Sequence, residues 1–137
     1  MSITEFSELF PSKFVKTISV NQLVYRNFQD CSGDLNPLHT NEEFAISKGF
    51  KGKVMYGNIL NAFISYFVGE CLPTKEVIIH SQTINFKLPV YLNDNLNMEF
   101  AISELHESVN AIEFKYHFKN ESDKIVAKGN IQIGLLK

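Results

Sequence analysis

Two hydrophobic periods divide the chain. In the first half apolar residues recur at helical spacing. Leu23, Val24 and Phe28 form one stripe of a short helix that Ser19 or Asn21 can cap, and Ile59, Leu60, Phe63, Ile64, Phe67 and Val68 form a broader one. The second helix is apolar over so much of its circumference that burial is expected; Gly57 opens it and Pro73 stops it. Beyond Pro73 the period becomes two. Ile78, His80, Gln82, Ile84, Phe86 and Leu88 alternate with Ile79, Ser81, Thr83, Asn85 and Lys87, predicting a strand that Pro89 ends. Asn93-Asp94-Asn95 makes a turn into a strand over 96–105, with Leu96, Met98, Phe100 and Ile102 on one face. Ile112, Phe114, Tyr116 and Phe118 share a face of the next strand, Asn120 to Asp123 turns it back, and 125–135 closes the sheet. A first strand is expected over 13–19, with Phe14 and Ile18 on one face.

One apolar helix followed by long antiparallel strands is an α+β layout, packed most economically as a curved sheet wrapped around that helix. Residues 1–12 read as a lead-in, in which Phe6, Leu9 and Phe10 suggest one packed helical turn, and residues 13–137 as a single domain. A length of 137 residues suits one hydrophobic core, and no repeat or low-complexity run interrupts it.

Charge removes several partners. The formal net charge is −2 and Arg26 is the sole arginine, so there is no basic surface for nucleic acid. The most apolar run, 59–68, is too short to span a bilayer, and the first residues lack the charged and apolar regions of a secretory signal. Cys31 and Cys71, the two cysteines, have neither metal nor redox spacing and read as reduced thiols. A cytoplasmic protein without membrane partners is expected.

Candidate chemistry concentrates in F-Q-D-C-S-G-D-L-N-P-L-H-T-N-E-E-F-A, residues 28–45. Asp34 and His39 are residue types that move protons, and the Asn36-Pro37 pair between them stiffens the turn. A rigid turn flanked by a carboxylate and an imidazole can aim both at one point, as general acid–base catalysis requires. After His39, Thr40 or Asn41 can cap a short helix with Glu42 and Glu43 in its first turn, ending near Gly49.

Phe28, Ser32, the string G-D-L-N-P-L-H and Ala45 together resemble the signature of the MaoC-like, R-specific enoyl-CoA hydratases. The resemblance extends over roughly 13–135 and implies the hot-dog fold. It also implies reversible addition of water to a trans-2-enoyl thioester, carried by CoA or acyl carrier protein, with Asp34 and His39 as the catalytic pair. Asn36 is expected to brace the loop. The family carries a His-Gly pair at the start of the central helix, whose backbone N–H groups face the thioester oxygen. Tyr56-Gly57 stands here, so Gly57 fits as oxyanion donor and Tyr56 is a departure from the pattern. Hot-dog subunits join edge to edge, so a homodimer is expected.

This chemistry calls for no cofactor or metal, and His80, His106 and His117 sit on predicted strands without a carboxylate at ligand spacing. Bulky Tyr56, Phe63 and Phe67 near the helix start suggest a short acyl pocket. Two other classes share the fold, an acyl-CoA thioesterase and a non-catalytic acyl-thioester binder. The first half of the central helix offers Asn58 and Asn61 but no acid of the thioesterase kind, and a binder has little use for an Asp–His pair.

Overall fold

The computed structural model describes residues 1–137. Helix α1 (Ile3–Leu9) begins with a capping box, Ser2 and Glu5 exchanging side-chain and backbone bonds. Strand β1 spans Phe14–Ser19. Helix α2 (Gln22–Ser32) is capped by Asn21, whose side chain accepts from Val24 N–H, and ends at Gly33 with φ +69°. No atom lies within 4 Å of where a Cβ would stand on Gly33, so the left-handed backbone, not crowding, favours glycine there. Two short helices follow, α3 (Pro37–Thr40) and α4 (Glu42–Ser47), the second capped by Asn41. The central helix α5 runs Ile59–Glu70. Strands β2 (Val77–Phe86), β3 (Asn95–His106), β4 (Ala111–Lys119) and β5 (Ile125–Leu135) complete the chain.

The five strands form one antiparallel sheet in the order β1-β3-β4-β5-β2. Leu96, Met98 and Phe100 of β3, with Ile112, Phe114, Tyr116 and Phe118 of β4, make the buried face that the period-two pattern predicts. Ile59, Leu60, Ile64, Phe67 and Val68 of α5 pack against it, the Phe67 ring lying on Phe100 with centroids 3.6 Å apart. This is the hot-dog arrangement, a sheet curved around one apolar helix. No helix is long and apolar enough to cross a membrane.

Three sequence expectations shift. The lead-in is a seven-residue helix whose Ile3 and Phe6 are buried in the same core as α5. Helix α2 turns Tyr25 inward rather than Leu23, which is 66 % exposed. The tyrosine hydroxyl finds a carbonyl, so burying its ring costs no orphaned polar group. Strand β2, at the sheet edge, alternates in sequence but buries neither face; Ile78, Ile79 and Phe86 are exposed.

Across β4 and β5 a second glycine is fixed by crowding. A Cβ on Gly129 would overlap the carbonyl oxygen of Thr83 and lie 2.7 Å from the Tyr116 hydroxyl. Tyr116 reaches past that bare backbone to donate to Thr83 O at 2.6 Å, and burial pushes its phenol up to about 12.

Candidate active site

The turn after α2 is built from side chains bonding to nearby backbone. Asp34 Oδ1 accepts from Asn36 N–H at 2.9 Å, and Asn36 Oδ1 accepts from Leu38 N–H at 2.9 Å, capping α3 with Pro37 in its first turn. Asn36 is thus a brace in geometry. These bonds leave Asp34 Oδ2 free, and it stands 4.0 Å from His39 Nε2. His39 Nδ1 lies 2.7 Å from the carbonyl oxygen of Val54. A carbonyl only accepts, so Nδ1 carries a proton and Nε2 of the neutral ring presents its lone pair towards Asp34. The gap is too long for a direct hydrogen bond and suits one water held by both groups.

Beside His39 opens a cleft of about 310 Å³. Its walls include Met55, Leu60, Phe86 and Leu88, and its polar side chains are His39 and Lys87. Gly57 lines it too, just before α5. The backbone N–H of Gly57 donates to no carbonyl of the chain, so a donor at a helix entrance is left for a ligand oxygen. Asp34 is not among the lining residues, but its half-exposed carboxylate faces His39. An apolar cleft with few polar groups is the ordinary form of a small-molecule site.

Tyr56 does not enter this cleft. Its hydroxyl donates a short hydrogen bond to the main-chain oxygen of Asp34, and its ring lies against His39, tilted by 33°, with centroids 4.2 Å apart. Burial raises its hydroxyl above the usual tyrosine range, and a hydrogen bond from Gln29 partly offsets this. Phe67 is in the core, and Phe63 lines a separate apolar groove between α2 and α5 with Val24, Phe28 and Cys31. The three rings expected to shorten an acyl pocket therefore lie outside the His39 cleft.

For His106 and His117, though not for His80, the reading of the remaining histidines also needs correction. Glu113 pairs with Glu104 across β3 and β4, where a bulge after Ile102 shifts the register. His106 Nε2 lies 3.3 Å from Glu113 and 3.7 Å from Glu104, and His117 lies 3.5 Å from Glu99. Carboxylates do flank these rings; they come from the neighbouring strand or from two residues away in the pleat, which linear ligand spacing does not reveal.

Sequence reasoning missed three contributors. Tyr25 donates to the main-chain oxygen of His39 at 2.7 Å, Gln29 bonds both tyrosine hydroxyls, and the Val54 carbonyl sets the His39 tautomer. None has a motif signal, because Tyr25 and Val54 bond through main-chain oxygens and Gln29 bonds hydroxyls that the fold brings to it.

The chain is 35 % identical over 80 residues to an (R)-specific enoyl-CoA hydratase of Aeromonas caviae, covering 58 % of this chain and 60 % of that protein. It is 33 % identical over 90 residues to a 3-hydroxybutyryl-CoA dehydratase of Methylorubrum extorquens, covering 66 % of this chain and 56 % of that one. The match thus spans less than two thirds of either relative's length. Among solved structures it superposes on the unliganded R-hydratase PhaJ1 from Pseudomonas aeruginosa with a TM-score of 0.84 and 28 % identity, over 96 % of this chain and 85 % of that one. The MaoC like domain model matches residues 10–123, which take in the Asp34–His39 turn and most of the cleft and the sheet: the chain belongs to the MaoC-like domain family.

Proposed function

We propose that the protein is an (R)-specific enoyl-thioester hydratase, adding water reversibly to trans-2-enoyl-CoA or the corresponding acyl-carrier-protein thioester. The observation that carries this reading is the opposition of Asp34 Oδ2 and His39 Nε2 at 4.0 Å, with the imidazole's other nitrogen tied to Val54 O. A water in that gap has a carboxylate on one side and a ring lone pair on the other. As its oxygen bonds to C3, the pair takes one proton from it and delivers one to C2, so hydroxyl and hydrogen add to the same face of the alkene. Negative charge gathers on the thioester oxygen, for which Gly57 N–H is the available donor. No metal or organic cofactor enters these steps.

The test is hydration of crotonyl-CoA, followed by loss of enoyl absorbance, with free thiol measured in parallel. Asp34→Asn and His39→Ala are each expected to lower kcat/KM by about 10²–10⁴ with circular dichroism unchanged. The double variant should be little worse than either, since groups holding one water act as a unit. Thiol release without hydration indicates a thioesterase instead, and near wild-type hydration by folded Asp34→Asn removes the mechanism.

We also propose a homodimer joined through β2. That edge strand is ten residues long and carries no charge, whereas the opposite edge, β1, is six residues long and includes Lys16. Uncharged exposed edges invite pairing, and lysine discourages it. Ile79→Lys should convert a dimer to monomer in light scattering; a monomeric parent protein at micromolar concentration overturns the proposal. The free thiols Cys31 and Cys71 support a reducing, cytoplasmic setting.

A further inference from the structure

The loop that carries Asp34 is poorly anchored by its own packing. Residues 31–37 are all exposed, and the bonds that shape the turn run between neighbours in sequence. A single hydrogen bond ties the Asp34–Asn36 backbone to a distant part of the chain, from the Tyr56 hydroxyl to the main-chain oxygen of Asp34. At the far end of the same turn the Tyr25 hydroxyl donates to the main-chain oxygen of His39 at 2.7 Å. Gln29, one helical turn after Tyr25, stands between the two phenols, and its Nε2 lies 3.3 Å from each. An amide nitrogen with two hydrogens can serve both, which leaves each hydroxyl hydrogen for a carbonyl. The tyrosine rings stack with centroids 5.7 Å apart, and Tyr56 also lies on the His39 imidazole.

We propose that Tyr25, Gln29 and Tyr56 form a clamp that holds the backbones of Asp34 and His39 and thereby sets the gap in which the reacting water sits. This rests on the hydratase reading. All three are positioning residues, since the hydroxyls bond main-chain oxygens and reach the chemistry only through the pair. The clamp has a direction of donation: Gln29 to tyrosine, tyrosine to carbonyl. A group of Gln29's shape that accepts instead of donating turns the hydroxyls away from the carbonyls and releases the loop. The turn is otherwise solvated, so release changes the aim of Asp34 without collapsing the core.

The experiment uses Tyr56→Phe, Tyr25→Phe and the isosteric Gln29→Glu, with crotonyl-CoA hydration and thermal melting for each. A misplacement on the order of 1 Å at reacting groups costs up to about 10²-fold, so each variant should lose roughly 10- to 100-fold in kcat with KM little changed. Gln29 is only half-buried, so its variant should stay folded if a tyrosine variant does not. Tyr56→Phe is then repeated in an Asp34→Asn background and Tyr25→Phe in a His39→Ala background. Where the partner acts through the lost group, the second change should alter the residual rate by less than about threefold, the mark of coupled sites. Losses that multiply in these double variants, or folded single variants with wild-type kcat, overturn the clamp while leaving the hydratase reading intact. Absence of crotonyl-CoA hydration in the parent protein, or its persistence in Asp34→Asn, overturns both.

Discussion

Gly57→Ala separates a donor role for this residue from a purely conformational one. Gly57 does not have the positive φ that strains other side chains, so the backbone tolerates alanine. The obstacle is Phe86, whose Cε1, Cδ1 and Cζ would lie 3.0, 3.2 and 3.3 Å from the new Cβ. Carbon atoms rest at about 3.5–4.0 Å, so the ring must retreat by about half an ångström. Phe86 is 51 % exposed on an edge strand, and such a ring can rotate away for about 0.5–1.5 kcal/mol. For a chain this size the melting temperature should fall by roughly 2–8 °C. The catalytic cost should be far larger. The methyl group stands on the cleft wall beside the N–H proposed to meet the thioester oxygen, and loss of one such donor lowers kcat by about 10²–10³. The readout is kcat/KM for crotonyl-CoA hydration alongside thermal melting. Gly52→Ala serves as control, because there the added Cβ meets the carboxylate end of Glu42, a flexible exposed side chain away from the cleft. A Gly57→Ala protein that melts a few degrees low yet hydrates at the parent rate refutes the donor assignment.

Gly129→Ala should be the most damaging glycine change, because its Cβ meets Thr83 backbone and the bonded Tyr116 hydroxyl, neither free to move; thermal melting should show a loss above about 3 kcal/mol or no folded protein. Tyr116→Phe leaves Thr83 O without that donor and should cost about 1–3 kcal/mol by urea titration. Burial pushes the Tyr116 phenol up to about 12 from an ordinary 10.0, so the unfolded chain ionises first; stability should be level below pH 10, fall between 10 and 12, and fall less in Tyr116→Phe, measured as urea midpoints across that range. Phe6→Ala removes a ring that is fully buried against Phe10 and Phe114, and should cost about 3–5 kcal/mol by denaturant titration, placing α1 within the cooperative core.

The strands that form the middle of the sheet were legible because each has one covered face, and a covered face writes itself as period two. Ile112, Phe114, Tyr116 and Phe118 are all buried, as alternation requires. Strand β2 has the same alternation and no covered face, so its pattern does not reveal which side meets a layer. In α2, Leu23 and Tyr25 compete for the inward position, and the outcome turns on a hydrogen bond to His39 O rather than on hydrophobicity. The Asp34–His39 turn was legible for a different reason. Its Asx bonds and helix caps are local, made by Asp, Asn and Pro within a few residues of one another, so the sequence contains all the partners. The supports from Tyr25, Gln29 and Val54 come from outside the turn, and two of them run through a main-chain oxygen, which carries no sequence signature.

Position 56 joins these two kinds of information. The family pattern expects histidine before the glycine, and tyrosine in its place reads from sequence as a lost contact. In the fold the tyrosine makes contacts of its own. A phenol reaches farther than an imidazole, far enough for its hydroxyl to meet Asp34 O while the ring still lies against His39. That reach has a requirement, since a buried hydroxyl that donates should also be supplied with a donor for its lone pairs. Gln29 supplies it, and is free to do so because Tyr25 sits one turn earlier on the same face of α2. The departure at position 56 is therefore intelligible only together with two residues on a helix that the motif does not include. The Asp34–His39 turn thus takes its local bonds from the motif and its outside supports from residues beyond it.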